Sequence, residues 1–163
     1  MTEAQGSFPG RVNGIHHVGM SVPCLDRARA FYVDMLGLKE VGCSAWADSE
    51  QMDRLTRLRG TAAKMMFLAA ANIYIEMFEY ASPAPVPATS ERGVNELGFT
   101  HLCFDVEDTM AIHATLTAAG IDFHCNPIDS SGVRTVYGRD PFGNVIELQQ
   151  IVTEGVVQKI PNL

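Results

Sequence analysis

The stretch GIHHVGMSV (14–22) returns in altered form as GFTHLCFDV (98–106), and this repeat is the clearest indication of the fold. Gly14 aligns with Gly98 and His17 with His101, each pair 84 residues apart. In both stretches apolar side chains alternate with small or polar ones, which is the period of a β-strand with one buried face. The histidine of each stretch falls on the face with the small and polar residues. We therefore predict two related halves, each beginning with a strand that carries a histidine.

Both halves continue in the same order. Apolar residues spaced three and four apart predict a helix after each first strand, ended by Gly37 in one half and Gly120 in the other. The closing segments IEM (75–77) and IEL (146–148) place Glu76 and Glu147 at matching positions. The strands expected after the helices are residues 38–44, 62–69 and 72–80 in the first half and 121–125, 132–138 and 144–151 in the second. The predicted fold class is α+β, with two paired βαβββ modules forming a curved, eight-stranded mixed sheet and the helices outside.

The chain is predicted to contain one domain between two short segments. Residues 1–13 are expected to be a flexible N-terminus and residues 151–163 a C-terminal tail. The domain, 14–150, divides into module one (14–80), a linker that contains prolines (81–97) and module two (98–150). The first half is longer because of an insertion that fits within residues 45–60. Residues 49–58 of the insertion have helical spacing and several arginines, which fits either a short solvated helix or a lid that meets an anionic substrate.

Composition narrows the classes of function. The chain has 163 residues, of which 47% are hydrophobic and 19% charged, as in ordinary globular proteins. Its net charge is −7 without a basic cluster, which argues against a nucleic-acid partner. We expect a cytoplasmic protein with no membrane partner, because neither a signal-peptide pattern nor a long apolar stretch is present. The four cysteines form no CxxC spacing and are predicted to be reduced thiols: Cys24, Cys43, Cys103 and Cys125.

Four residues are candidate metal ligands because they recur in both halves: His17, Glu76, His101 and Glu147. Two imidazoles and two carboxylates on the inside of one sheet would each be costly to desolvate alone. One divalent cation offsets that cost, and this donor set suits Zn, Ni, Co, Mn or Fe. Glu76 shares its strand face with three aromatic residues, as an aromatic-lined cup would require: Tyr74, Phe78 and Tyr80.

The other histidines receive structural or surface roles. His16 is expected to face the helices, since it alternates with His17 along the strand. His113 and His124 have no counterpart in the repeat. A structural role also remains open for each single candidate ligand, because a lone histidine in a strand is more often a core or edge residue than a ligand.

At these motifs the sequence resembles the vicinal oxygen chelate superfamily, which includes glyoxalase I, methylmalonyl-CoA epimerase, extradiol dioxygenases and antibiotic-resistance proteins. HHVGMSV (16–22) with LDRARAFYVDMLGLKEV (25–41) is similar to its opening strand and helix. GFTHLCFDVED (98–108) and DPFGNVIELQQ (140–150) are similar to the start of its second module and its closing hairpin. The resemblance covers about residues 14–150. It implies a metal at His17, Glu76, His101 and Glu147, a small-molecule substrate and, because these folds often pair, a homodimer.

The resemblance also implies a type of chemistry, in which a metal binds neighbouring substrate oxygens and stabilises developing negative charge. Lyase and isomerase members use four protein ligands, and glyoxalase I places a Glu where Glu76 stands. This favours a metal-dependent lyase, isomerase or epimerase that acts on a small oxygenated metabolite by proton transfer next to a metal-bound carbonyl, with Glu76 or Glu147 as the catalytic base. Ser21 and Tyr80 replace the Arg and Asn of bacterial glyoxalase I, which argues against a glutathione-borne substrate.

Two alternatives remain open. Extradiol dioxygenases hold Fe(II) with two His and one Glu, which His17, His101 and Glu147 would match, so a ring-cleaving dioxygenase is the first alternative. A non-catalytic, drug- or metabolite-binding resistance protein is the second.

Overall fold

The computed structural model describes residues 12–87, 92–155 and 157–160. Residues 1–11 of the predicted flexible N-terminus, residues 88–91 of the linker and residues 156 and 161–163 of the tail lie outside this range. The first module contains β1 (His17–Ser21), α1 (Leu25–Arg29) continued by a π-helical segment (Ala30–Met35), β2 (Lys39–Trp46), α2 (Glu50–Thr56), β3 (Ala62–Ala69) and β4 (Tyr74–Ser82). The second contains β5 (His101–Asp105), α3 (Thr109–Ala118), β6 (Ile128–Ser130), β7 (Val133–Arg139) and β8 (Val145–Ile151).

The two modules have the same sheet topology. The strand orders are β1-β4-β3-β2 and β5-β8-β7-β6. In each sheet the first and last strands of the module pair in parallel, and the other neighbours are antiparallel. The predicted fold of paired βαβββ modules is confirmed. In the described part of the chain its eight strands are hydrogen-bonded as two four-stranded sheets. The strands that carry the two histidines, β1 and β5, each lie at one edge of their sheet.

Local signals in the sequence explain the ends of the helices. Gly37 and Gly120 adopt φ values of +76° and +89° after the two long helices, as predicted. The side chain of Asp108 accepts a hydrogen bond from the backbone N–H of Ala111 and caps α3. The insertion forms α2, which the side chain of Ser49 caps in the same way.

The strand predicted at 121–125 is not formed, which corrects the sequence-based assignment. Phe123 makes a single bridge to Gly138 of β7, and the strand next to β7 begins only at Ile128. The ring of Phe123 lies over Gly138, where a Cβ atom would come within 2.5 Å of it. Two backbone hydrogen bonds flank the bridge, from His124 N–H to the Tyr137 carbonyl and from Arg139 N–H to the Asp122 carbonyl, and the chain bends at 124–126 before the pairing can continue.

The helices that follow β1 and β5 pack on the outer faces of the sheets and share one core with them. Its largest fully buried side chains include Phe31, Tyr32, Met66, Leu68 and Ile146. Tyr32 lies where the modules meet, because its hydroxyl donates a hydrogen bond of 2.7 Å to Asp140 in the turn between β7 and β8. Asp140 is 4% exposed and also accepts from the backbone N–H groups of Phe142 and Asn144. This buried contact ties module one to module two.

Candidate metal centre

His17 and Glu76 lie side by side on the parallel strands β1 and β4. Gly19 is opposite Glu76 in the register, so His17, two residues earlier, shares its face. His17 Nε2 lies 3.2 Å from Glu76 Oε2. The His17 side chain is 40% exposed and that of Glu76 is 21% exposed. The first module therefore forms an imidazole–carboxylate pair that solvent reaches.

The second module repeats this pair on β5 and β8. His101 Nε2 lies 3.1 Å from Glu147 Oε2, and the Glu147 side chain is 11% exposed. The other carboxylate oxygen of Glu147 accepts a hydrogen bond of 2.6 Å from the hydroxyl of Thr135. The ring of His101 packs edge to face against Tyr137, with centroids 4.9 Å apart. This second pair is more enclosed and more firmly held than the first.

The second nitrogen of each imidazole is engaged outside the pair. His101 Nδ1 lies 2.8 Å from the hydroxyl of Thr100, and His17 Nδ1 lies 2.9 Å from Nδ1 of His16. A contact at Nδ1 fixes the ring orientation and leaves Nε2 to act as a ligand, as in metal-bound histidines. Sequence reasoning missed these supporting residues, because a single polar neighbour leaves no periodic signal.

The orientation expected for His16 is wrong. Its ring packs against Phe67 and Tyr74, at centroid distances of 6.0 and 5.2 Å, and the residue is exposed. The reason is local, because β1 begins at His17 and strand alternation does not extend back to His16. Of the remaining histidines, His113 packs against Phe123 and takes no part in either pair.

The two pairs fit the chemistry of a divalent metal. Ligand atoms about 2.0–2.2 Å from one ion and at right angles to each other are about 3 Å apart. The observed separations of 3.2 and 3.1 Å between Nε2 and the carboxylate oxygens match that spacing. Each pair therefore offers two donor atoms at a spacing that one metal ion could bridge.

The pairs are not gathered into one cluster. Among the described residues no group of three or more His, Cys, Asp or Glu is arranged to hold a metal ion. His17 and His101 do line the same cavity of about 570 Å³, which lies between β1 and β5. A single centre with four ligands would require the two pairs to approach one another across this cavity.

Two groups beside Glu147, the thiol of Cys103 and the phenol of Tyr137, hold their protons more tightly than usual. Burial, and next the charge of Glu147, raise the pKa of the Cys103 thiol to about 12. The same two causes, in the same order, raise the pKa of the Tyr137 phenol. At neutral pH both groups carry their protons, so Cys103 is a neutral thiol. The four cysteines are free.

Aromatic rings line the inner face of the first sheet around His17. The three that the sequence predicted are joined by Phe67 and Trp46, which the repeat did not reveal. The ring of Phe67 lies edge-on to His17 at 5.7 Å. The ring of Phe78 lies over Gly19, 3.9 Å from where a Cβ atom would be. The inner face of the first sheet therefore forms an aromatic wall around His17, whereas Glu147 in the second sheet contacts the hydroxyl of Thr135.

Comparisons with known proteins place these features in a family. The sequence profile of the Glyoxalase/Bleomycin resistance protein/Dioxygenase superfamily matches residues 14–148. A search of curated proteins found no match. In none of the helices that the structure describes is there an apolar stretch long enough to cross a membrane.

Solved structures support the same fold. A glyoxalase family protein from Bacillus cereus is similar, with a TM-score of 0.81 and 22% identity over 88% of this chain and 97% of that one. An antibiotic binding protein from Streptomyces has a TM-score of 0.58 and 18% identity, covering 86% of this chain and 97% of its own. A fosfomycin resistance protein from Listeria monocytogenes, complexed with Mn(II) and sulfate, has a TM-score of 0.57 and 18% identity over 86% and 93%. At these identities the likeness concerns the fold alone.

Proposed function

Because the chain belongs to the Glyoxalase/Bleomycin resistance protein/Dioxygenase superfamily, we propose that it is a metal-dependent lyase, isomerase or epimerase. It would act on a small oxygenated metabolite by proton transfer next to a carbonyl group. His17, Glu76, His101 and Glu147 would hold one divalent ion, either Zn, Ni, Co, Mn or Fe. The observation that carries the proposal is the second carboxylate, Glu76, 3.2 Å from His17 in the same arrangement as Glu147 beside His101.

The two carboxylates differ in a way that suits a division of roles. Glu147 is nearly enclosed and fixed by the hydroxyl of Thr135, so it is suited to remain a ligand. Glu76 is more exposed, and His17 is its one ion-pair partner among the described residues. A bound metal ion would polarise the substrate carbonyl and make the neighbouring C–H group more acidic. Glu76 would take that proton on a carboxylate oxygen and return it, since it is the carboxylate with room to move.

Metal binding is the first test. We expect calorimetric titration of metal-free protein to find one high-affinity site, which His17→Ala and Glu147→Ala abolish. His113→Ala is the matched control, because His113 packs on Phe123 outside both pairs and should bind metal as the wild type does. Equal losses from His113→Ala and His17→Ala would contradict the ligand assignment.

Proton transfer is the second test. The metal-loaded protein is incubated in heavy water with a panel of α-hydroxycarbonyl and α-keto acid compounds, and deuterium uptake next to the carbonyl is followed by NMR. Glu76→Gln should retain metal and lower the exchange rate at least about 100-fold, the usual size of a general-base contribution. Oxygen-dependent cleavage of catechols by the iron form would instead favour the dioxygenase that uses His17, His101 and Glu147. Failure to bind any of the five metals would favour the non-catalytic binding protein.

We also propose a homodimer. Large apolar side chains are strongly exposed directly before β1 and β5: Leu97 at 99%, Phe99 at 90% and Ile15 at 77%. Ile15 and Phe99 line the cavity that separates the histidines. Clustered apolar exposure of this kind is typical of an interaction surface. Light scattering should find a dimer that Phe99→Ser dissociates, whereas Leu55→Ser, which changes an equally apolar residue exposed on α2, should leave the dimer intact. A cytoplasmic location and the absence of a nucleic-acid partner stay predictions.

A further inference from the structure

The insertion holds one side chain of the aromatic wall in place. Asp53 of α2 accepts hydrogen bonds from the backbone N–H of Gly60 at 2.6 Å, the backbone N–H of Thr61 at 2.8 Å and the hydroxyl of Thr61 at 2.7 Å. The Thr61 oxygen accepts in turn from the indole Nε1–H of Trp46 at 3.1 Å. Thr61 is fully buried. These bonds, led by the one from the Thr61 hydroxyl, lower the pKa of Asp53, so the chain of hydrogen bonds ends on a charged acceptor.

The held indole belongs to a cluster of three rings. Trp46 packs edge to face against Phe78 at 5.9 Å and against Tyr80 at 6.0 Å, with interplanar angles of 77° and 88°. Phe78 and Tyr80 are themselves 6.0 Å apart. Such angles and distances are the favoured ones for aromatic pairs, so each ring restrains the others. We call Trp46, Phe78 and Tyr80 the aromatic triad.

The aromatic triad lies beside the first donor pair. Phe78 and Tyr80 follow Glu76 at intervals of two along β4, which places the three side chains on one face. Trp46 is opposite Ala63 in the register, and Ala63 is opposite Tyr80. The lack of a side chain at Gly19 leaves room for the ring of Phe78 two residues from His17. A molecule that touches Glu76 therefore meets these rings next.

The rings are partly exposed, and none of the three joins the buried core of the module. The polar edge of Trp46 is already satisfied by Thr61, so the triad offers a neighbour mainly π surface. A flat, unsaturated ring gains from that surface through stacking and edge-to-face contact, whereas a flexible aliphatic chain gains only apolar area. With both donor pairs on one metal ion, as proposed, the hydroxyl and carboxylate groups of the second module would meet the oxygenated part of the same molecule.

We propose that the aromatic triad is the subsite for an aromatic or conjugated ring of the substrate, and that the insertion serves to position Trp46 in it. This rests on the proposed function in one respect, since the oxygenated end of the substrate is taken to meet the His–Glu pairs. Asp53 is then a positioning residue that acts through Thr61. The anchoring of α2 by Asp53 fits this role better than that of a mobile lid.

Matched ligands test the subsite. Benzoylformate, 2-cyclohexyl-2-oxoacetate and pyruvate share the α-keto acid group and differ in the substituent, which is a planar ring, a puckered ring or a methyl group. Trp46 is the one tryptophan of the chain, so quenching of its fluorescence reports on the triad directly. We expect benzoylformate to bind about tenfold more tightly than the cyclohexyl compound, the range that a few aromatic contacts provide, and to quench Trp46. Equal affinities of the two ring compounds would overturn the proposal.

Variants separate positioning from folding. Trp46→Leu should remove the preference for the planar ring, measured by calorimetry, and Trp46→Phe should restore part of it. Asp53→Ala should lose most of the preference and make Trp46 more accessible to a soluble quencher, with little change in metal affinity. Leu55→Ala is the matched control on the same helix and should preserve both properties. A full preference in folded Asp53→Ala would refute the role given to the insertion.

The two proposals can fail separately, because each ligand is measured with metal-free and metal-loaded protein. A preference for benzoylformate in protein that binds no metal would support the triad and overturn the proposed function. Metal binding at the His–Glu pairs without any preference among ring compounds would support the metal site and overturn the aromatic subsite.

Discussion

Replacing Tyr32 by phenylalanine is expected to lower the free energy of unfolding by about 2 kcal/mol. Tyr32 is fully buried, and its hydroxyl lies 2.7 Å from a carboxylate oxygen of Asp140, which is 4% exposed. The substitution removes this hydrogen bond and preserves the ring that packs against Phe31 at 4.9 Å. A hydrogen bond to a charged group contributes about 1.5–3 kcal/mol. Asp140 retains its bonds from Phe142 and Asn144, which places the loss in the lower part of that range.

Urea unfolding of metal-free protein, followed by circular dichroism, measures this loss. Tyr74→Phe is the control, because Tyr74 is 37% exposed and its change should cost less than about 0.5 kcal/mol. An unchanged slope with denaturant would show that the unfolded state is the same in both proteins. A loss below about 0.5 kcal/mol for Tyr32→Phe as well would refute the view that this bond ties the modules together.

Three further predictions concern pH, the first donor pair and packing. Burial, and then the charge of Asp140, raise the pKa of Tyr32 well above its ordinary value. The contribution of Tyr32 to stability is therefore complete below about pH 10, where the unfolded chain also keeps the phenol proton, and declines above that pH. The urea midpoint should fall above about pH 10 in the wild type and fall less in Tyr32→Phe. His16→Ala should weaken metal binding about tenfold, because it frees Nδ1 of His17, and calorimetry that finds wild-type affinity would rule out this supporting role. Gly138→Ala should lower the free energy of unfolding by about 2 kcal/mol or more, since its Cβ atom would lie 2.5 Å from the ring of Phe123. In Gly19→Ala the Cβ atom would lie 3.9 Å from the nearest atom, so this variant should lose less than half as much. Equal losses in thermal unfolding would contradict this packing argument.

Periodic features of the sequence predicted the fold well. Alternation in 14–22 and 98–106, helical spacing after each and a glycine at each helix end are local signals, and they led to the paired modules. The strand expected at 121–125 is reduced to one bridge between Phe123 and Gly138, because the chain bends at 124–126 directly after it. The orientation predicted for the His16 side chain was wrong because alternation predicts a direction only within a strand, and β1 begins one residue later.

The four residues of the two His–Glu pairs could be singled out from the sequence, whereas the residues around them could not. His17, Glu76, His101 and Glu147 recur between the halves, and repetition is visible without coordinates. Thr135 and Trp46 occur in one half only, and their roles depend on register between strands that the sequence does not state. The distance between the two pairs could not be predicted from the sequence either, since it depends on how the two sheets are arranged.

In each module the histidine and its carboxylate lie on the first and the last strand, which pair in parallel. Bringing them together closes a long loop that already contains the helix and the two strands between, and the entropy of that closure is offset only when the whole module is formed. A chain emerging from the ribosome would thus acquire its first donor pair only when β4 has been made, while the second module is still being synthesised. The proposed four-ligand site would be complete only after β8 has been made, so metal binding would be the last event in the maturation of the chain.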